Sequence, residues 1–185
     1  MKKYELTSET KVINGVELHR IKALESFGNI KKGELGGWIE SEKNLSQYGD
    51  AWVYEHAKVF DNAMVGGDAT IRGYATVYGK AMVGGDATVR GNATVRGNAW
   101  VGENATVGEN ADYIVFKNWW SSGRYFTWTR SNNKWRVGCF YGSGEELIAK
   151  AYKDSEKSGR EYERVVKYVK SILKEEEDNG NRNKR

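Results

Sequence analysis

Between positions 49 and 111 alanine recurs every six residues, at 51, 57, 63, 69, 75, 81, 87, 93, 99, 105 and 111, and Val or Ile follows two residues after each of the first ten. No hexad is skipped or lengthened. A strict six-residue period matches neither a 3.6-residue helix nor a single long strand, but it fits short strands joined by corners and wound into a parallel β-helix. A second period of 18 residues lies over the first. Met64-Val65-Gly66-Gly67-Asp68-Ala69-Thr70 returns as Met82-Val83-Gly84-Gly85-Asp86-Ala87-Thr88 and, more loosely, as Trp100-Val101-Gly102-Glu103-Asn104-Ala105-Thr106. Three hexads therefore make one triangular coil, with each residue over its counterpart 18 places on at about the 4.7–4.9 Å strand spacing.

Strand alternation sends Ala93 and Val95 into the bore, and Thr94 and Arg96 outward. In such hexads Gly-Asn, Gly-Asp or Glu-Asn makes the corner, where positive φ suits Gly and Asn. Every eighteenth residue falls on one of three outward faces. The first carries Trp52, Thr70, Thr88 and Thr106 beside Tyr54, Arg72, Arg90 and Gly108, and the second carries Lys58, Thr76 and Thr94 beside Phe60, Tyr78 and Arg96. The third carries Met64, Met82 and Trp100 beside Gly66, Gly84 and Gly102. It is flat and apolar, and large exposed apolar patches are uncommon on monomers. The expectation is an oligomer interface at this face, with burial under the C-terminal helices of the same chain as the competing account.

These hexads resemble the bacterial-transferase hexapeptide repeat, whose fold is the left-handed β-helix. The left hand is implied by the resemblance, since parallel crossovers are otherwise right-handed. Gly36-Gly37-Trp38-Ile39-Glu40 through Leu45-Ser46-Gln47-Tyr48-Gly49-Asp50 is similar to the beginning of hexapeptide-repeat proteins from phages, prophages and enteric bacteria, some labelled acetyltransferases. Together the matches span about 30–112. The resemblance implies a homotrimer. For the enzymes of the family it also implies an acyl-CoA donor, a histidine general base near a subunit interface and a loop extruded from the coils. Here the histidines are His19 and His56, and no loop interrupts 51–111. His56 reads as a solvated corner residue, with a catalytic base as the alternative. Asp50, Asp68, Asp86 and Asn104 stand one coil apart. They read as side chains accepting backbone N–H bonds at their own corners rather than as a cation site. No catalytic residue, metal or cofactor is assigned.

The regions flanking the repeat read differently. Asn14-Gly15 between Lys11-Val12-Ile13 and Val16-Glu17-Leu18-His19-Arg20-Ile21 marks a β-hairpin, and a solenoid end needs such a cap. Ile39 and Leu45 are expected in phase with the later alanines, which makes about four coils. Residues 113–141 hold ten aromatics and five Lys/Arg but no Asp or Glu, in runs that predict three strands at 113–119, 124–129 and 134–141. Cys139, the single cysteine, falls in the last run and reads as a buried small hydrophobe. Capping-box patterns at Ser143-Gly144-Glu145-Glu146 and Ser158-Gly159-Arg160-Glu161 predict two helices. In the second, Tyr162, Val165, Val166, Val169, Ile172 and Leu173 form one apolar stripe.

The predicted organisation is mainly β. A hairpin cap occupies 1–30, a hexapeptide β-solenoid 31–112, an α+β domain 113–176 and a disordered tail 177–185. With no apolar run of membrane-spanning length and no signal-like leader, a soluble cytoplasmic protein is expected. The net charge of +4 belongs to the C-terminal part, where 111–185 holds 16 Lys/Arg against 11 Asp/Glu. The candidate partner surface is therefore Trp119, Trp120, Arg124, Trp128, Arg130, Lys134, Trp135 and Arg136, suited to a host protein or to nucleic acid. The expected function is that of a non-catalytic accessory protein. The phage resemblance implies inhibition of a host defence, including anti-CRISPR activity. The alternatives are a hexapeptide acyltransferase and a module binding nucleic acid or a nucleotide signal.

Overall fold

The computed structural model describes residues 2–182. The chain begins with an antiparallel hairpin of β1 (Tyr4–Ile13) and β2 (Val16–Ala23). Asn14 and Gly15 take φ of 52° and 82° at its tip, the two consecutive left-handed residues of a tight hairpin turn. After β3 (Leu35–Ile39) come ten two-residue strands, one per hexad: β4 (Trp52–Val53), β5 (Lys58–Val59), β6 (Met64–Val65), β7 (Thr70–Ile71), β8 (Thr76–Val77), β9 (Met82–Val83), β10 (Thr88–Val89), β11 (Thr94–Val95), β12 (Trp100–Val101) and β13 (Thr106–Val107). They stack in parallel as three sheets, β3-β5-β8-β11, β4-β7-β10-β13 and β6-β9-β12, with β2 and β1 extending the first antiparallel. Trp52 pairs with Thr70, Thr70 with Thr88 and Thr88 with Thr106. This is the 18-residue coil, wound about four times. Its bore is filled by the alanines of 51–105, each 0–1% exposed, and by the Val/Ile column, each 0–2% exposed.

The opening coil departs from the expected phase. Ile39 pairs with Val59, and Leu45 bridges Val65, so both stack on the Val/Ile column and not on the alanines. The slip lies in the 46–50 segment, because pairing regains the 18-residue offset at Trp52 with Thr70. Gly36 and Gly37 are needed where β3 meets the first regular coil. A Cβ on Gly36 would lie 2.6 Å from Trp52 and Ile21 side-chain atoms, and one on Gly37 would lie 2.7 Å from the Ala57 and Tyr54 carbonyl oxygens.

Both ends of the stack leave backbone groups with no further coil to meet, and side chains meet them instead. At the first end Lys3 Nζ donates to the Gly49 and Ala51 carbonyls, each at 3.0 Å, and the Tyr4 hydroxyl donates to Leu45 O at 2.6 Å. Lys3 is only 2% exposed; burial lowers its amine pKa, opposed by Asp50, Asp68 and Glu25. At the far end Thr94 N–H donates to Asn110 Oδ1 at 2.8 Å, Trp100 N–H to Thr127 Oγ1 at 2.9 Å and Thr106 N–H to Ser131 Oγ at 2.8 Å. Buried backbone donors without partners would each cost about 1–3 kcal/mol.

Thr127 of that far cap belongs to a fourth sheet. It has four antiparallel strands: β14 (Tyr113–Lys117), β15 (Tyr125–Thr129), β16 (Lys134–Val137) and β17 (Phe140–Gly142). The single run expected at 134–141 is broken by a two-residue turn at Gly138 and Cys139, with Gly138 at φ 57°. Cys139 is consequently exposed rather than buried. On the face opposite Thr127 lie α1 (Gly144–Asp154) and α2 (Glu156–Arg182). The first capping box forms as expected, with Glu146 N–H donating to Ser143 Oγ and Ser143 N–H to Glu146 Oε2. The second helix starts earlier than its expected cap. Ser155 Oγ accepts from Ser158 N–H at 3.1 Å, so Ser158 lies within the helix. A Cβ on Gly159 would lie 2.2 Å from the Tyr152 ring, which makes glycine necessary at this helix crossing. The segment expected to be disordered from 177 is helical through Arg182, and 183–185 lie outside the described residues.

Candidate functional site

Alternation along β15 divides its side chains between two packed surfaces. Phe126 and Trp128 join Trp120, Trp135, Leu147, Tyr162 and Val166 under the helices, while Thr127 and Thr129 are buried as well, Thr127 against the coil end. The sheet is therefore covered on both faces. Trp120, Trp128 and Trp135 are 8%, 1% and 2% exposed, which removes them from the partner surface expected of them. Arg130 pairs with Glu176 of α2. Arg136 leaves the sheet altogether. Its guanidinium lies 3.8 Å over the Trp100 ring and 3.7 Å from Glu103. Acids from outside 113–141 thus answer part of the basic excess within it, a compensation invisible to a count along one segment.

What remains exposed of that set is Trp119, at 70%, with Arg124. The loop that presents them is held by Asn118, which is 4% exposed. Its side-chain oxygen accepts from Ser121 N–H at 3.0 Å, and its amide donates to the Tyr162 hydroxyl at 3.1 Å. Lys134 is half-buried.

The third outward face is a groove of about 490 Å³ in which Met64, Gly66, Met82, Gly84, Trp100 and Gly102 come together, flanked by Lys43 and Arg136. Met64 and Met82 stay 52% and 38% exposed. The C-terminal helices therefore do not bury this face, which overturns that competing account.

A second groove of about 490 Å³ runs along the first outward face and holds His56, Glu55, Tyr54, Thr70 and Arg72. The His56 ring stacks on Tyr74 with centroids 4.9 Å apart and planes 6° apart, and its Nε2 lies 3.9 Å from Glu55 Oε2. Tyr54 at its edge is half-buried, which raises its hydroxyl pKa. His19 sits on β2 beside Glu17, at 3.6 Å. The acidic column is structural where its contacts are resolved. Asp68 Oδ1 accepts from Asp50 N–H at 2.9 Å, one coil away rather than at its own corner. Asp61 Oδ2 accepts from Gly79 N–H in the same manner at 3.1 Å.

Three stacked sheets of hexads define the class, a hexapeptide-type β-solenoid protein with an α+β end domain. No protein-family model matches the chain. Over 74 residues it is 32% identical to a protein of Escherichia coli (strain K12) named as the uncharacterized acetyltransferase YdcK. The match takes in 35% of this chain and 23% of that relative's length. No described helix is long and apolar enough to cross a membrane.

Proposed function

We propose that the chain is an acyltransferase of the hexapeptide-repeat type, drawing its acyl group from a coenzyme A thioester in the cytoplasm, with His56 as general base. The observation that supports it is the groove holding His56 and Arg72, in a chain similar over 74 residues to a protein named as an uncharacterized acetyltransferase. Stacking on Tyr74 fixes the imidazole plane, and the exposed Arg72 guanidinium supplies the charge that phosphates of the donor require. In the transfer His56 takes the proton of an acceptor hydroxyl or amine as that atom attacks the thioester carbon. The C–S bond then breaks, and the proton passes to the departing thiolate.

Nothing on the coil between 51 and 111 closes over this groove, so its acceptor side is assigned to a neighbouring copy. A trimeric ring joins unlike faces, and the exposed Met64/Met82/Trp100 face is the apolar half of that contact. The test is thiol release from acetyl-CoA against a panel of hydroxyl and amine acceptors. His56→Ala is expected to slow it by about 10²–10⁴-fold. An unchanged rate in that variant, or no acetyl-CoA binding at millimolar concentration, refutes the assignment.

One observation favours a second reading, a binding module without chemistry. Trp119 stands 70% exposed on a loop fixed by Asn118, which is how interface anchors are presented. The anti-defence role and the host-protein partner belong to this reading. Pull-down from host lysate with wild type and Trp119→Ala tests it, and equal capture by the two excludes this loop as the anchor.

A further inference from the structure

The second outward face ends in a hollow of about 730 Å³ where the last coil meets β14 and β15. It shares no lining residue with the His56 groove. Tyr78 and Arg96 line it, the later steps of a column that starts at Phe60 with one residue per coil. The Phe60 and Tyr78 rings are stacked 5.2 Å apart and 5° from parallel. At the third step the aromatic is replaced by Arg96, whose Nη1 donates to the Tyr78 hydroxyl at 3.4 Å.

The backbone there is held firmly. The Tyr113 hydroxyl donates to Thr94 O at 2.9 Å and accepts from Arg96 N–H at 3.3 Å. The guanidinium itself is exposed. A guanidinium has five N–H donors, and Arg96 forms no ion pair with a carboxylate among the described residues. Across the hollow stands Tyr125, 45% exposed, with Lys117 Nζ 5.8 Å from its ring centroid. The lining contains Asn98 and Asn110 but no Asp or Glu. A guanidinium without a carboxylate partner, a tyrosine ring 45% exposed with a lysine near it, and amides in the lining suit a ligand that is both anionic and flat. A carboxylate-free lining disfavours cationic ligands, and the volume lies within the roughly 300–1,000 Å³ of small-molecule sites.

We propose that this hollow binds a 5′-phosphorylated nucleoside, either free or as the end of a single strand, with Arg96 on the phosphate and Tyr125 stacked on the base. Fork-shaped donation from arginine suits phosphate oxygens, and base stacking on tyrosine tolerates any base.

The probes are AMP, adenosine and a 5′-phosphorylated adenine oligonucleotide, titrated by calorimetry into wild type, Arg96→Ala and Tyr125→Ala. Thermal melts confirm that each variant is folded. AMP is expected to bind about tenfold or more tightly than adenosine, and Arg96→Ala is expected to remove that preference. Tyr125→Ala should weaken AMP by about 5–150-fold. Equal affinity for AMP and the oligonucleotide assigns the site to free nucleotides, and tighter oligonucleotide binding that still depends on Arg96 assigns it to strand ends. The proposal is overturned if neither phosphorylated probe binds at millimolar concentration, or if binding is indifferent to the phosphate or to Arg96. The AMP and adenosine comparison on wild type decides the matter even if a variant fails to fold, and acetyl-CoA turnover at His56 is a separate measurement.

Discussion

Val89 and Arg90 are neighbours in sequence with opposite environments, and exchanging each for aspartate tests the coil directly. Val89 is 0% exposed and pairs in parallel register with Ile71 on one side and Val107 on the other, while Arg90 is exposed. Removing the valine from the bore forfeits about 1.5–3 kcal/mol of burial. The new carboxyl would lie in the buried hydrophobic bore, so its pKa should rise by about 3–5 units. At pH 7 the ~3 units between an unfolded-state pKa near 3.9 and the pH cost about 4 kcal/mol. The sum, roughly 6 kcal/mol, rivals the typical total stability of about 5–15 kcal/mol. Because the folded pKa lies above the unfolded one, the ionic part of the penalty is absent below about pH 4 and grows as pH rises toward the folded pKa. Thermal melts at pH 4 and pH 7, each referred to wild type at the same pH, should show Val89→Asp crippled at pH 7 and partly rescued at pH 4. Arg90→Asp should stay within about 0.5 kcal/mol of wild type. Equal melting of the two variants at pH 7 would reject the assigned alternation.

Lys3→Met deprives the Gly49 and Ala51 carbonyls of their donor and is expected to cost about 1–3 kcal/mol in denaturant unfolding; an unchanged midpoint would mean that water caps that end equally well. Lys11 lies 3.9 Å over the Trp38 ring, and burial, then Lys58 and Arg20, lower its amine pKa to about 8. Near pH 8 it should be acetylated by an amine-selective reagent faster than most lysines of the chain, and because the unfolded chain holds that proton more tightly its contribution to stability should rise above pH 8. Peptide mass spectrometry showing Lys11 no faster than the exposed Lys80 would contradict the shift. Met82→Arg places a charge in the exposed apolar groove, so the trimer proposed above is expected to fall to monomers by light scattering in this variant, whereas a variant that stays trimeric would move the interface to another face.

The coil was legible because six-residue alternation carries strand, corner and bore in one pattern, and an 18-residue repeat fixes which residues stack. The pattern gives no warning where it is interrupted. Ile39 and Leu45 look continuous with the alanines when counted in sixes, yet the extra length in 46–50 shifts them onto Val59 and Val65. Trp135, Val137, Cys139 and Tyr141 alternate as one strand would, and only the positive φ of Gly138 turns the chain back between them. The start of α2 was hidden for a related reason. Ser155 and Ser158 are both competent caps, and the short break after α1 selects the earlier one.

The candidate sites were legible in proportion to how far their geometry follows from the period. Met64, Met82 and Trp100 share a face because they are 18 residues apart, and that grouping needs no knowledge of the ends. The tryptophans of 113–141 have no such rule. Alternation separates Trp128 from Thr127, but which side meets solvent depends on what packs there, and here helices cover one side and the coil end the other. Nor does local composition report charge, since Glu176 and Glu103 reach Arg130 and Arg136 from elsewhere in the chain. The Arg96 hollow lies between these cases. Its column, Phe60, Tyr78 and Arg96, was readable from the period, whereas Tyr125 and Lys117 arrive through the end sheet. The docked end sheet builds the Arg96 hollow, whereas the grooves at His56 and Met82 lie open along the coils, so recognition on this prism is expected at its capped end and, along its sides, where a second copy closes a groove.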